Sequence, residues 1–298
     1  MSTLSVLIES SASSWGKLST DHGNRTPGVI LRALVSFCNA HLAQSASNQL
    51  LVFAYGRDVE KKMIFSSART EDRNFSHLVI QRLKDILIED ASHNSSKKKV
   101  LLGPALAHAF CHMKKDSKLP VVDPCADSLG SQTVLTSESD EIDDSTSNRA
   151  VVVSFTSISG NEHGSLMNLF FSAAKHAICV DVISMGDDLT GGVLQQAADI
   201  TGGLFLHVKQ PECFLKLIMT NLLFDSKHRS TFFKPSVDSV DYRASCACHQ
   251  QMVPSGWVCS ICLSVLCQYT PICAVCKAVF TIKSLPKKCR RKRNLQCN

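Results

Sequence analysis

Near the carboxyl end, Cys259, Cys262, Cys273 and Cys276 form two C-x2-C pairs separated by ten residues. Each pair can turn two thiolates towards one point, and ten residues suffice to bring two such pairs around one tetrahedral zinc ion. Four soft ligands with no open coordination position suit a structural ion, not a catalytic one. Neither four small core cysteines nor a redox C-x-x-C accounts for two pairs within 18 residues. Around them lie Cys246, Cys248, His249 and Cys267, whose spacing departs from the common finger patterns. Two readings of that outer set stand: a second zinc interleaved with the first, or residues that pack around one ion and steady its ligands. One structural zinc is expected, and a second is left open.

Other constellations are weaker. Glu9, Ser11 and Ser13 form E-x-S-x-S at the end of an apolar run, an arrangement by which oxygen ligands above a strand can hold a divalent cation. No Thr or Asp partner is evident after later strands, so these three read as polar loop residues. His108 and His112, one helical turn apart beside Cys111, resemble a ligand pair, although histidines on a helix surface are usually solvated. Lys287, Lys288, Arg290, Arg291, Lys292 and Arg293 make a basic run suited to phosphate contact or nuclear import, or else a solvated tail. The chain has no G-x-x-x-x-G-K-[ST], G-x-S-x-G, H-E-x-x-H or G-x-G-x-x-G after a strand. Catalysis has no visible seat, and the chain reads as non-enzymatic.

With 298 residues, 44% hydrophobic and 19% charged, the chain can bury one large core and a small appendage, which excludes wholesale disorder. Its apolar runs are strand-sized, so no membrane span is expected. The first residues lack the cationic lead-in of a secretory signal, and a reducing compartment follows, in which clustered cysteines favour metal over disulfides. Of 14 cysteines, nine crowd between Cys246 and Cys297. From Tyr242 to Asn298 there are nine Lys or Arg and no acidic residue, so the total of +6 conceals a net −3 on residues 1–241.

The elements that must position these groups alternate. Leu4 to Ile8, Gln49 to Ala54, Met63 to Phe65, Ala150 to Phe155, Ala177 to Ile183 and Leu204 to Val208 read as strands. Helices are expected after Thr26 and Pro27, across Phe75 to Leu87, after Pro104, at Leu166 to Ala174, at Val193 to Asp199 and at Cys213 to Phe224. Trp15 and Gly16 read as loop. Continuous apolar strands alternating with amphipathic helices define an α/β fold with a doubly wound, mostly parallel sheet flanked by helices. The expected organisation is an α/β domain over 1–230, a linker over 231–241, a zinc module over 242–285 and a basic tail over 286–298. Residues 123–148 hold seven acidic residues, nine Ser or Thr and no Lys or Arg, and read as a disordered loop within the first domain.

The segments L-Q-Q-A-A-D-I-T-G-G-L-F (Leu194 to Phe205), D-Y-R-A-S-C-A-C-H (Asp241 to His249), and V-C-S-I-C-L-S-V-L-C and P-I-C-A-V-C within Gly256 to Cys276 carry a resemblance. They resemble the subunit 3 family of general transcription factor IIH (TFIIH), the small core subunits with a von Willebrand A-like domain and a carboxyl-terminal zinc region. Looser similarity at Trp15-Gly16, Leu102 to Cys111 and Leu166 to Lys175 extends over most of the chain. The family's first strand usually ends in Asp, where this chain has Glu9.

The resemblance implies a von Willebrand A-like fold and a non-catalytic scaffold. The family serves RNA polymerase II transcription initiation and nucleotide excision repair in the nucleus, with helicase and translocase activity in other subunits. It implies other TFIIH core subunits as partners, above all the second A-domain subunit with a zinc-binding carboxyl terminus, with DNA contact indirect or weak. The alternatives are a RING-like ubiquitin ligase, whose regular ligand pairs Cys246-x-Cys248 and the solitary Cys267 do not supply, and a DNA-contacting zinc protein using the basic tail.

Overall fold

The computed structural model describes residues 2–57, 62–68, 75–92, 100–116, 147–156, 158, 162–185, 192–225, 229, 240–249, 251–262 and 264–280. Most of the acidic loop, most of the expected linker and the whole basic run Lys287 to Arg293 lie outside these residues. The chain divides into two compact units, Met1–Tyr242 and Arg243–Asn298.

The first unit is built on β1 (Ser2–Glu9), β2 (Gln49–Tyr55), β3 (Lys62–Ser66), β4 (Ser147–Ser154), β5 (Ile178–Ser184) and β6 (Phe205–His207), ordered β3-β2-β1-β4-β5-β6. Every pairing is parallel except β2 with β3, which runs antiparallel at the edge with a register shift between Val52 and Phe53. An order that reverses direction at β1, with an antiparallel edge, is the von Willebrand A-like doubly wound arrangement. Among the described residues seven helices flank the sheet: α1 (Ala12–His22), α2 (Thr26–Gln44), α3 (Phe75–Ser92), α4 (Gly103–Asp116), α5 (His163–Lys175), α6 (Gly192–Thr201) and α7 (Phe214–Leu222).

The two-residue period of each strand sorts its side chains into two cores. Leu4, Val6 and Ile8 of β1 join α1, α2, α3 and α7 on one face, while Leu7 joins Phe53 and the inner sides of α4, α5 and α6 on the other. Central strands buried on both faces must be apolar nearly throughout, which is why Leu50 to Ala54 of β2 and Ala150 to Val153 of β4 read as unbroken hydrophobic runs. Full burial of a side chain such as Leu7 or Phe170 contributes about 1.5–3 kcal/mol. No helix among the described residues is long and apolar enough to cross a membrane.

Two local outcomes differ from the expectations. Ala12–His22 is helical, not loop, although Ser13, Ser14, Gly16 and Thr20 favour helix weakly. Burial of Trp15 and Leu18 on one side, the Trp15 indole N–H donating to the Glu9 carbonyl at 2.7 Å, and the Asp90 carboxylate accepting from the Ala12 amide at 2.7 Å outweigh that propensity. β4 starts at Ser147, inside the polar stretch. Ser147 to Arg149 are drawn into the sheet by pairing with Ser2 to Leu4. The charge this buries, Arg149, lies beside Asp181 of β5, with Nε 3.9 Å from Oδ2. Arg229 completes the group, donating to both Asp181 oxygens at 2.6 Å.

Candidate metal centres

The described residues of the second unit have little regular structure. β7 (Ala244–Ser245) pairs with β8 (Met252–Val253), β9 (Trp257–Val258) pairs with β10 (Val265–Leu266), and Ile272 bridges Val279, all antiparallel. Ribbons of two residues do not hold a fold by themselves. What they do is place a cysteine-bearing turn at each end. Cys259 and Cys262 sit in the turn from β9 to β10, where the Cys259 amide donates to the Ser264 carbonyl at 3.0 Å. Cys273 and Cys276 sit between Ile272 and Val279, where the Cys273 amide donates to the Ala278 carbonyl at 2.9 Å. Lys277, with φ of 61°, takes the left-handed conformation that reverses the chain after Cys276. Gly256 precedes β9 because a Cβ there would meet Val265 Cγ1 at 2.8 Å.

The four sulfurs converge. Cys259 Sγ lies 3.7 Å from Cys276 Sγ, Cys262 Sγ lies 3.7 Å from Cys273 Sγ, and all four ligand atoms fall within 4.8 Å of one another. A tetrahedral ion with Zn–S bonds of about 2.3 Å requires sulfurs about 3.8 Å apart. The donor set and its dimensions therefore fit zinc.

A second group gathers Cys246, Cys248, His249 and Cys267, again within 4.8 Å. The β7–β8 turn supplies the first three, closed by the Cys246 amide donating to the Gln251 carbonyl at 2.9 Å. Cys267 arrives from the end of β10, and the Ala247 amide donates to the Val265 carbonyl of that strand at 2.8 Å. Cys248 Sγ and His249 Nδ1 each lie 3.2 Å from Cys267 Sγ, and Cys246 Sγ lies 3.9 Å from His249 Nδ1. These separations straddle those of a tetrahedral site with three sulfur ligands and one nitrogen, tighter on the Cys267 side. Along the chain the two groups interleave: three ligands of the second, two of the first, Cys267 of the second, then two of the first.

Crowded thiols divide in their titration. A hydrogen bond from the Gln251 backbone lowers Cys246 to about 6, and one from the Cys276 backbone lowers Cys273 to about 6. The hydrogen bond with Cys248 is the main cause that raises Cys267, to about 11. A divalent cation at the centre of each group removes that competition, because it stabilises every coordinating thiolate at once.

Glu9 is engaged by protein donors. Its buried carboxylate accepts from Ser14 Oγ at 2.6 Å, Phe155 N at 2.7 Å, Thr156 Oγ1 at 2.8 Å, Thr156 N at 3.1 Å and Ser154 Oγ at 3.3 Å. Those donors use the lone pairs that a cation would need. Thr156 is the partner that reading along the sequence missed: it follows β4, whose pairing with β1 brings it beside Glu9. Ser264 was missed too, its Oγ lying 3.0 Å from Cys262 Sγ and 3.7 Å from Cys273 Sγ. A hydroxyl two residues beyond a C-x2-C pair was the only available signal.

The segment around Gly203 also has a physical basis. A Cβ at Gly203 would lie 2.0 Å from the Val180 carbonyl oxygen, so only glycine lets α6 close against β5. Thr201 Oγ1 clips the same junction, accepting from Val180 N at 3.0 Å and donating to Ala197 O at 2.7 Å. The buried Gln196 side chain donates to the Asp241 carbonyl at 2.6 Å, and the Tyr242 hydroxyl donates to Asp199 Oδ2. Thus Asp241 and Tyr242 dock on the helix that carries Leu194 to Thr201.

A von Willebrand A-like domain followed by a module with two interleaved Cys/His groups defines the class of protein. The chain belongs to the transcription factor Tfb4 family, whose model matches residues 1–277, a span that ends just beyond Cys276. It is 27% identical over 306 residues to the "General transcription and DNA repair factor IIH subunit tfb4" of Schizosaccharomyces pombe, covering 96% of this chain and 91% of that protein. It is 28% identical over 312 residues to the subunit TFB4 of Saccharomyces cerevisiae, covering 94% and 86%. Among solved structures, that of the TFIIH p34 N-terminal domain aligns with 73% of this chain and 96% of that chain, with 19% identity and a TM-score of 0.49.

Proposed function

We propose that this chain is a non-catalytic scaffold subunit of the TFIIH core in the nucleus, acting in RNA polymerase II transcription initiation and nucleotide excision repair through protein–protein contacts. The family match over residues 1–277 carries this reading, because it spans the α/β unit and both Cys/His groups together. A rigid α/β scaffold presents loops and helix faces for docking, and catalysis falls to other subunits. The favoured partner is the second A-domain subunit with a zinc-binding carboxyl terminus. The proposed organisation is an A-like domain over 1–230, a linker over 231–241, a zinc module over 242–285 and a basic tail over 286–298, the tail serving import or weak phosphate contact.

Zinc is the proposed cofactor. Cys259, Cys262, Cys273 and Cys276 would hold one ion, and Cys246, Cys248, His249 and Cys267 a second. Bound there, zinc supplies no chemistry beyond linking the turns. The module's surface favours docking. Trp257, Val258, Ile261, Ile272, Val275 and Val279 are exposed, and no acidic residue lies between Tyr242 and Asn298.

Affinity purification of the tagged full chain from nuclear extract tests this reading. Stoichiometric co-elution with the remaining core subunits, and loss of repair synthesis on depletion restored by adding the chain back, are expected. A chain that elutes alone would overturn it. The interleaved ligand order favours one rival, a RING-like ubiquitin ligase. Ubiquitin transfer that tracks the purified chain and is lost in Cys259→Ser would establish it.

A further inference from the structure

The imidazoles of His108 and His112 lie on α4 of the α/β unit. Their Nε2 atoms are 3.2 Å apart, their ring centroids 4.7 Å apart and their planes inclined at 72°. The pair is backed by Phe53 of β2, whose ring lies 5.5 Å from His108 and 6.2 Å from His112, edge-on to the first and tilted to the second. Helical spacing of four residues puts both rings on one face, and packing against the buried Phe53 restricts their rotation. His108 Nδ1 is buried and makes no hydrogen bond among the described residues, so this ring's only such contact is through Nε2.

We propose that His108 and His112 form a two-imidazole site for a first-row divalent cation of the zinc, nickel and cobalt class. Two nitrogens ligating one tetrahedral ion at about 2.0–2.1 Å must lie about 3.3 Å apart, and the observed separation matches. Imidazole nitrogen is a preferred donor for these metals, and chelation would replace the hydrogen bond between the two rings. Among the described residues no third Cys, His, Asp or Glu joins the pair, since the groups of three or more all lie between Cys246 and Cys276. The remaining coordination positions are open to water or to a small anionic ligand. The site is thus exchangeable, in contrast to two groups that each offer four protein ligands.

Nickel titration of the zinc-loaded full chain tests the site, with the zinc content measured before and after. One Ni2+ per chain should bind with zinc retained. His112→Gln should weaken it by more than the roughly 10–100-fold that loss of an outer-shell partner costs, and His108→Gln should do the same. Ni2+ should also raise the melting temperature of the wild type and not of His112→Gln. Three results would overturn the proposal: no Ni2+ uptake, uptake unchanged in both variants, or uptake matched by loss of zinc, which would place the ion in the carboxyl-terminal groups.

Discussion

The two units of this protein hold themselves together by different means. In the α/β unit, two apolar cores enclose a six-stranded sheet, and charged groups inside it are paired, as Asp181 is with Arg149 and Arg229. In the module, the only buried apolar or sulfur-bearing residues among those described are Cys246, Cys259, Leu266 and Cys273, while Trp257, Val258, Ile261 and Val279 face outward. An interior made of one leucine and thiol ligands has little hydrophobic driving force. With zinc in the two Cys/His groups as proposed, folding and metallation of the module would be one equilibrium. The lesson is that adjacent stretches of one chain can differ in what denatures them.

The largest effect should follow from breaking the first ligand set. Cys259→Ser or Cys273→Ser removes a buried ligand of a site whose zinc affinity can supply about 10–16 kcal/mol of folding free energy. Limited proteolysis should then degrade residues beyond about 242 and spare the α/β unit; an unchanged digestion pattern would contradict this. Next, Asp181→Ala leaves two buried guanidinium groups uncompensated and should cost the α/β unit about 3–5 kcal/mol in urea denaturation. Zinc content should be unaffected, which sharpens the contrast between the units.

Glu9→Gln is a smaller change. It keeps the shape but supplies an amide where the carboxylate accepts five hydrogen bonds, two of them from backbone amides. A loss of about 1–3 kcal/mol is expected, with no change in metal content. A larger loss reversed by added Mg2+ would revive a cation at that position.

The smallest effect is a pH dependence. Burial, followed by the nearby Arg149 charge, lowers the pKa of His41 below its ordinary 6.5. The unfolded chain then binds a proton that the folded chain resists, so stability contributed by the neutral ring is present above about 6.5 and falls as pH drops below it. His41→Gln should flatten the acid limb of the α/β unit's stability curve below about pH 6.5. An identical slope in wild type and variant would remove His41 from the account.

Much of this was legible in the sequence. Strands such as Val151 to Val153 and Val180 to Ile183 are buried on both faces, so their composition announces them. The convergence of Cys259, Cys262, Cys273 and Cys276 was legible because C-x2-C spacing is a local rule. That of Cys246, Cys248, His249 and Cys267 was harder, since three of them come from one turn and Cys267 from the end of a different ribbon. α1 was hidden because its serines and glycine are poor helix formers, held by Trp15 and by Asp90, which is distant in sequence. Thr156 beside Glu9 and Arg229 beside Asp181 were equally invisible, as each pair meets only through strand pairing or through a segment that returns to the sheet.

Hydrogen–deuterium exchange of the full chain, before and after a zinc chelator, addresses the division between the units directly. Chelation should abolish protection at the amides of Cys259, Cys273 and Ala247 while leaving β1, β4 and β5 as slow as before. Protection of the module that survives complete zinc removal, or loss that spreads equally through the α/β sheet, would contradict the claim that metal holds one unit and an apolar core the other.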